Sequence, residues 1–211
     1  MNSICFLAQF PPPMHGLSKA VETLYNSRLN EKYKLSKIDI TDNKRILRSL
    51  AALMRCQSDV VYFTPSQTRG GNLRDLVFLK LIQWQGKKCI VHIHGGYYRH
   101  LVDNDLPGWQ RKMNYHAVRR LAGGIVLGQS LKSIFEGMLP DNRIFVCPNC
   151  VDDAYIASSI DEKMEGLKRN GVLHVLYLSN FIASKGYREV LEMARMASDK
   201  GDGDKFVFHF A

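Results

Sequence analysis

Short apolar runs, rich in β-branched and aromatic residues, recur along the chain. Between them lie stretches whose apolar residues return every three or four positions. The runs at residues 3–8, 35–40, 60–64, 89–94, 124–127, 143–147, 173–179 and 206–210 predict strands, most of them buried on both faces. Residues 17–29 place Leu17, Ala20, Val21, Leu24 and Tyr25 on one stripe and predict a helix. The same pattern predicts helices over 44–55, with Thr41 or Asp42 as cap, and over 72–85, 108–121, 130–138, 161–169 and 186–200. Strand and helix alternate almost throughout, which argues for an α/β chain with a parallel sheet covered on both sides. Ligands of such sheets bind beyond the carboxyl ends of the strands, so the loops after Ala8, Thr64, His94 and Ser179 are the places to look for chemistry.

A turn at Pro148-Asn149 and a poorly periodic stretch up to residue 160 divide the chain into residues 1–155 and residues 156–211. The second part holds only two strands and one helix before Ala211, too little to enclose a core of its own. The expectation is therefore a first Rossmann-like domain followed by the truncated start of a second.

With 45% apolar and 10% aromatic residues, the 211-residue chain can bury a core and is not disordered. Twenty-nine Lys and Arg against 20 Asp and Glu give a net charge of +9 and point to an anionic partner: phosphate, nucleic acid or a negatively charged membrane. Nucleic acid is not expected, because no zinc-finger spacing, RNP-type aromatic motif or KH-type loop occurs. No apolar stretch approaches the ~18 residues of a membrane span. The run Ile4–Ala8 is too short for an export leader and meets three prolines. The expected location is the cytoplasm, with the inner face of a membrane as a further candidate. Five cysteines without an export signal are expected to stay reduced. Cys147-Pro148-Asn149-Cys150 has no second pair to complete a zinc site, so no metal is expected.

Several segments could carry chemistry. Pro11-Pro12-Pro13-Met14-His15-Gly16-Leu17-Ser18 leaves a strand and opens a helix. Its amides and helix dipole would suit a diphosphate, though an ordinary strand-to-helix turn reads the same way. His92 and His94 alternate with Val91 and Ile93, so the two imidazoles share one face. His94 ends its strand just before Gly95-Gly96, where a neutral imidazole could bind a hydroxyl or take its proton. Tyr97, Tyr98, Arg99 and His100 come next and could line an acceptor pocket. Lys185 precedes Gly186 at the start of the last helix and could face an anion there. In residues 108–121, Trp109, Met113, Ala117 and Leu121 form an apolar line with Arg111, Lys112 and Arg119 away from it. This reads either as a core-facing stripe with a wet back or as a helix lying on anionic lipid.

Taken in order, the Pro-rich His15-Gly16 loop, His92-Ile93-His94-Gly95, Val126-Leu127-Gly128-Gln129-Ser130, Val146-Cys147-Pro148-Asn149-Cys150-Val151-Asp152 and Leu176 through Lys185-Gly186 resemble the family 4 retaining glycosyltransferases. These have the GT-B fold and include many bacterial enzymes of surface-polysaccharide biosynthesis. The resemblance implies transfer of a sugar, with retention, from a nucleotide-sugar donor to a glycan or lipid-linked acceptor, with no metal or other cofactor. It implies that Gly16, Lys185 and Asn180 contact the donor phosphates, that His94 sits at the reacting sugar, and that His15, Gly95, Tyr97 and Arg99 line the acceptor side.

Asn180 stands where the family commonly has a basic residue, and Cys150 where it usually has glycine. The family's paired glutamates would lie beyond Ala211, so weak or absent transfer is expected of this chain alone. A nucleotide-sugar 2-epimerase of the same fold and a non-catalytic acceptor-binding or partner-binding module are the alternatives.

Overall fold

The computed structural model describes residues 3–150, 160–169 and 171–211. Its contacts divide the chain into two compact units, Met1–Cys150 and Val151–Ala211. The boundary expected at residues 155 and 156 lies outside the described residues.

The first unit is built on six strands: β1 (Ser3–Ala8), β2 (Lys34–Asp39), β3 (Val60–Phe63), β4 (Lys88–Ile93), β5 (Gly123–Val126) and β6 (Ile144–Val146). All neighbours are parallel, in the order β2-β1-β3-β4-β5-β6. The helices that complete it are α1 (Gly16–Tyr25), α2 (Leu29–Lys32), α3 (Ile46–Arg55), α4 (Arg69–Trp84), α5 (Tyr98–His100) and α6 (Gly108–Arg119). Alternation along each strand sends successive residues to opposite faces. Leu7, Val61, Phe63, Val91 and Ile93 point one way and pack with Leu53, Leu76, Phe78 and Val118 of the helices in one core. Phe6, Ala8 and Tyr62 point the other way and pack with Phe10 and with Val21 of α1 in a second. Phe6 and Tyr62 rings meet at 4.6 Å, and Tyr25 closes edge-on against Phe6 at 5.3 Å. β2 is one of the two edge strands. Its exposed Lys34, Ser36 and Lys37 depart from the doubly buried strand pattern, and such charge discourages edge pairing.

The helical expectations need four corrections. The helix over 17–29 stops at Tyr25, because Asn26 caps it with its amide on the Glu22 and Leu24 carbonyls, and α2 is a separate turn. Residues 98–105 are helical rather than loop: α5 runs on into a π-type turn, Leu101–Asp105, pinned by the Arg99–Asp103 ion pair and by Tyr97 Oη donating to Asp105 at 2.6 Å. The helix expected over 130–138 is a 3-10 segment, Gln129–Phe135. On α6, Trp109 and Met113 of the expected apolar line are exposed, while Ala117 and Leu121 are buried. The buried face of α6 carries amides instead. Asn114 and Gln110 donate to Asn72 Oδ1 on α4, each at 2.9 Å, and Asn114 Oδ1 accepts from Tyr98 Oη at 3.1 Å.

The second unit holds α7 (Ile160–Arg169), β7 (Leu173–Tyr177), α8 (Tyr187–Asp199) and β8 (Phe206–Phe210), with β7 and β8 paired in parallel. The fold expectation, an α/β chain led by a Rossmann-like parallel sheet and continued by a small second α/β unit, holds. Among the described residues no helix is long and apolar enough to cross a membrane.

Candidate functional site

The chain leaves β1 for β2 on one side and then crosses back to β3 on the other. Strand order therefore reverses at β1, and the loops leaving β1 and β3 diverge to open a crevice at their carboxyl ends. Four elements stand at these strand ends: the loop after β1, the loop after β3, the turn after β4 and the start of α1.

The loop after β1 is tied down at its second residue. Phe10 N donates to Thr41 Oγ1 at 3.2 Å, and Thr41 Oγ1 donates to Asp39 Oδ1 at 2.6 Å. Pro11, Pro12 and Pro13 then stiffen the path toward the helix. His15 caps α1: its Nδ1 accepts from Ser18 N at 3.2 Å, while its own amide donates to Ser18 Oγ at 3.0 Å. This reciprocal pair leaves the amides of Gly16 and Leu17 at the open start of the helix. Gly16 is exposed, and a Cβ built on it would meet no atom within 4 Å. Its backbone does not require glycine either, since its φ is not positive. The chain's own packing gives no reason for glycine there, as is also true of Gly70, Gly108 and Gly128; what sets Gly16 apart is its place at the start of α1 beside the strand-order reversal.

The loop after β3 is organised from below by a buried ion pair. Arg74 Nε and Nη2 donate to Asp75 Oδ1 at 2.9 and 2.8 Å, Asp75 accepts the Ser66 amide on its other oxygen, and Arg74 Nη1 reaches Asn43 Oδ1 at 2.6 Å. Burial pushes the Asp75 carboxyl up to about 6, an effect that the Arg74 guanidinium and the Ser66 amide only partly offset. Above this pair, Gln67 Oε1 accepts from Tyr97 N at 2.9 Å and so fixes the turn after β4. The same amide group fills the space beside Gly95, where a Cβ would stand 2.6 Å from Gln67 Nε2. A side chain at position 95 would therefore have to displace the Gln67 amide.

His94 leaves the end of β4 on the same face as Tyr62 and His92. Tyr62 Oη lies 2.7 Å from His92 Nδ1 and 3.4 Å from His94 Nε2, and the two imidazoles lie against each other with centroids 3.9 Å apart. Burial drives both imidazoles toward the neutral form, to about 3 for His92 and about 4 for His94, with His94 adding to the effect on His92. A ring that is neutral at physiological pH can accept a proton or a hydrogen bond there. His92 Nε2, His94 Nδ1 and Thr64 Oγ1 are buried and have no hydrogen-bond partner among the described residues. Sequence reasoning singles out His94 and passes over Tyr62 and Thr64. Their signal is the register that sets β3 beside β4, which a single sequence does not print.

The other expected residues have plainer surroundings. Tyr97 is half exposed, its hydroxyl held by Asp105. Arg99 is engaged with Asp103 and with the Glu136 carbonyl and lies over the Tyr115 ring. In the second unit, the Asn180 carbonyl accepts from Tyr177 Oη at 3.0 Å. Lys185 is exposed in the 3-10 turn Ala183–Lys185 and makes no ion pair among the described residues. Gly186 comes next in the left-handed conformation at φ 82°, where glycine is favoured, so α8 begins at Tyr187 and not at Gly186. The structure thus brings His15, Gly16, His94, Gly95 and Tyr97 to the carboxyl edge of the first sheet, and places Asn180 and Lys185 in the loop after β7. Among the described residues no group of three or more His, Cys, Asp or Glu could hold a metal ion.

No protein-family model and no curated protein matches the chain in sequence. Among solved structures, the crystal structure of Anabaena HepE in complex with UDP matches 99% of this chain and 69% of its own, at 12% identity and a TM-score of 0.58. A sugar transporter from Clostridium phytofermentans aligns over 99% and 80% of the two chains at 15% identity, but its TM-score of 0.34 carries no weight. At 12% identity the likeness to HepE is one of fold: an α/β architecture of the GT-B type.

Proposed function

We propose that the chain binds a nucleotide sugar and belongs to a glycosyltransferase that moves the sugar, with retention, to a glycan or lipid-linked acceptor. The observation that carries this reading is the start of α1. An exposed glycine that neither backbone nor packing requires opens a helix at the point where strand order reverses, the place where such sheets hold diphosphates. The likeness to a structure that contains UDP supports a uridine nucleotide as the first ligand to try.

In this reading the amides of Gly16 and Leu17 and the α1 dipole meet the donor phosphate. His94, neutral and at the end of β4, meets the sugar or the incoming hydroxyl. His15, Gly95, Tyr97 and Arg99 shape the acceptor side. Lys185 and Asn180 are assigned to the donor phosphates, the lysine supplying the charge that stabilises the departing diphosphate. No metal is called for. The exposed Trp109 and Met113 beside Arg111, Lys112 and Arg120 on and after α6 support an anionic bilayer as the surface where a lipid-linked acceptor is met.

The direct test is calorimetric titration with UDP and with UDP-sugars. Binding that Gly16→Ala and Lys185→Ala each weaken supports the assignment. Binding that neither variant changes removes it. A 2-epimerase would interconvert the free nucleotide sugar without any acceptor, and chromatography of the nucleotide pool distinguishes the two.

A further inference from the structure

Tyr62 stands between two histidines, and a phenol has only one proton to give. The contact at 2.7 Å to His92 Nδ1 has the length of a good O–H···N hydrogen bond, and the contact at 3.4 Å to His94 Nε2 is the weaker one. An imidazole nitrogen is a better acceptor than a phenol oxygen, so the proton belongs on the short contact. Tyr62 then donates to His92, and the only way His94 can bond the same oxygen is to donate its own Nε2–H to it. With Nε2 protonated and the ring neutral, the remaining nitrogen, Nδ1, carries a lone pair.

That nitrogen is one of the buried atoms without a partner among the described residues, and Thr64 Oγ1 is another. Phe63 pairs with Val91 across β3 and β4, so the next residue, Thr64, stands alongside His92. Period two then puts Tyr62, Thr64, His92 and His94 on one face of adjacent strands. Thr64 is 3% exposed and His92 4%, so these polar groups have been taken out of water with their bonding capacity incompletely used.

We propose that Tyr62 is a positioning residue that locks His94 in the Nε2–H tautomer, so that His94 Nδ1, with Thr64 Oγ1 on the same face, receives a neutral hydroxyl of the ligand. The chemistry is selective. A lone pair at that position accepts an O–H and repels a phosphate oxygen, so the group seated there is an alcohol of the sugar or acceptor and not the diphosphate. The opposite tautomer would present an N–H and invert that preference. The functional half of the inference rests on reading the strand ends as a ligand crevice, whereas the tautomer itself is a property of the free protein.

The test is a long-range proton–nitrogen correlation spectrum of the unliganded 211-residue chain labelled at histidine nitrogens, with His92→Gln and His94→Gln used for assignment. His94 is expected to show a protonated Nε2 and a bare Nδ1. In Tyr62→Phe the lock is gone, and the tautomer ratio should shift about tenfold toward an even mixture, as expected for loss of one hydrogen bond. His92→Phe is the second arm. It frees the Tyr62 proton for His94 Nε2 and should drive His94 to the Nδ1–H form. A wild-type His94 protonated at Nδ1, or a His94 signature unchanged in both folded variants, overturns the proposal. Because no ligand is present, these results are independent of whether a nucleotide sugar binds.

Discussion

At the scale of single residues, the two glycines at helix starts behave differently. Gly186 sits at φ 82°, so Gly186→Ala should cost the second unit about 1 kcal/mol, read as faster amide hydrogen exchange at the start of α8. Gly16 has open space around it and an ordinary backbone, so Gly16→Ala should leave stability within about 0.5 kcal/mol while weakening nucleotide binding. A large stability loss in Gly16→Ala would show that the glycine serves the fold. The buried histidines give a pH signature. Their folded values, about 3 and about 4, lie below the ordinary histidine value of 6.5, so the unfolded chain binds more protons throughout that window. The histidines' contribution to stability is then complete above pH 6.5 and falls as the pH drops toward 4 and 3, opposed in part by Asp75, whose raised carboxyl takes up a proton in the folded state over the same range. The limiting slope is about 1.4 kcal/mol per pH unit for each proton. Urea midpoints measured from pH 7 to 4 should show this fall, and His94→Phe should make it shallower. His94 was legible in the sequence because alternation and the glycines after it put it at a strand end. Tyr62 was not, because its partners lie thirty and thirty-two positions away, across a strand pairing.

Among the elements, the strands were legible nearly to the residue, since apolar β-branched runs have few other places to go. Helix ends were less so, because caps decide them. Asn26 halts α1 where the apolar stripe alone would have carried it to Leu29. The turn after β4 carries only a brief helical period, Tyr98, Leu101 and Val102, all buried, too short to announce a helix in the sequence. Around it Arg99, Asp103, Asp105 and Tyr115 join Tyr97 in a set of polar contacts. The same kind of polar framework steadies the loop after β3. Arg74→Leu would leave Asp75 buried without its counter-ion and should cost about 3–5 kcal/mol, while Arg74→Leu with Asp75→Leu should recover much of that loss. Equal destabilisation in the single and double variants would mean that packing, not charge pairing, holds this loop.

For the molecule as a whole, parallel pairing comes from strand-helix alternation, which is why the fold class could be read from the chain alone. The position of the reversal at β1 could not, because it depends on whether β3 passes to the left or right of β1. That choice places the start of α1, the loop after β3 and His94 at one edge, and it turns a proline-rich loop into a candidate phosphate site. The measurement that bears most directly on this edge is a titration of the nitrogen-labelled chain with UDP, monitored by amide chemical shifts. Saturable shifts centred on Gly16, Leu17 and the residues around His94 are the expected result. Shifts confined to the opposite, amino-terminal edge of the sheet, or none at all at millimolar UDP, would contradict a nucleotide crevice at the strand ends.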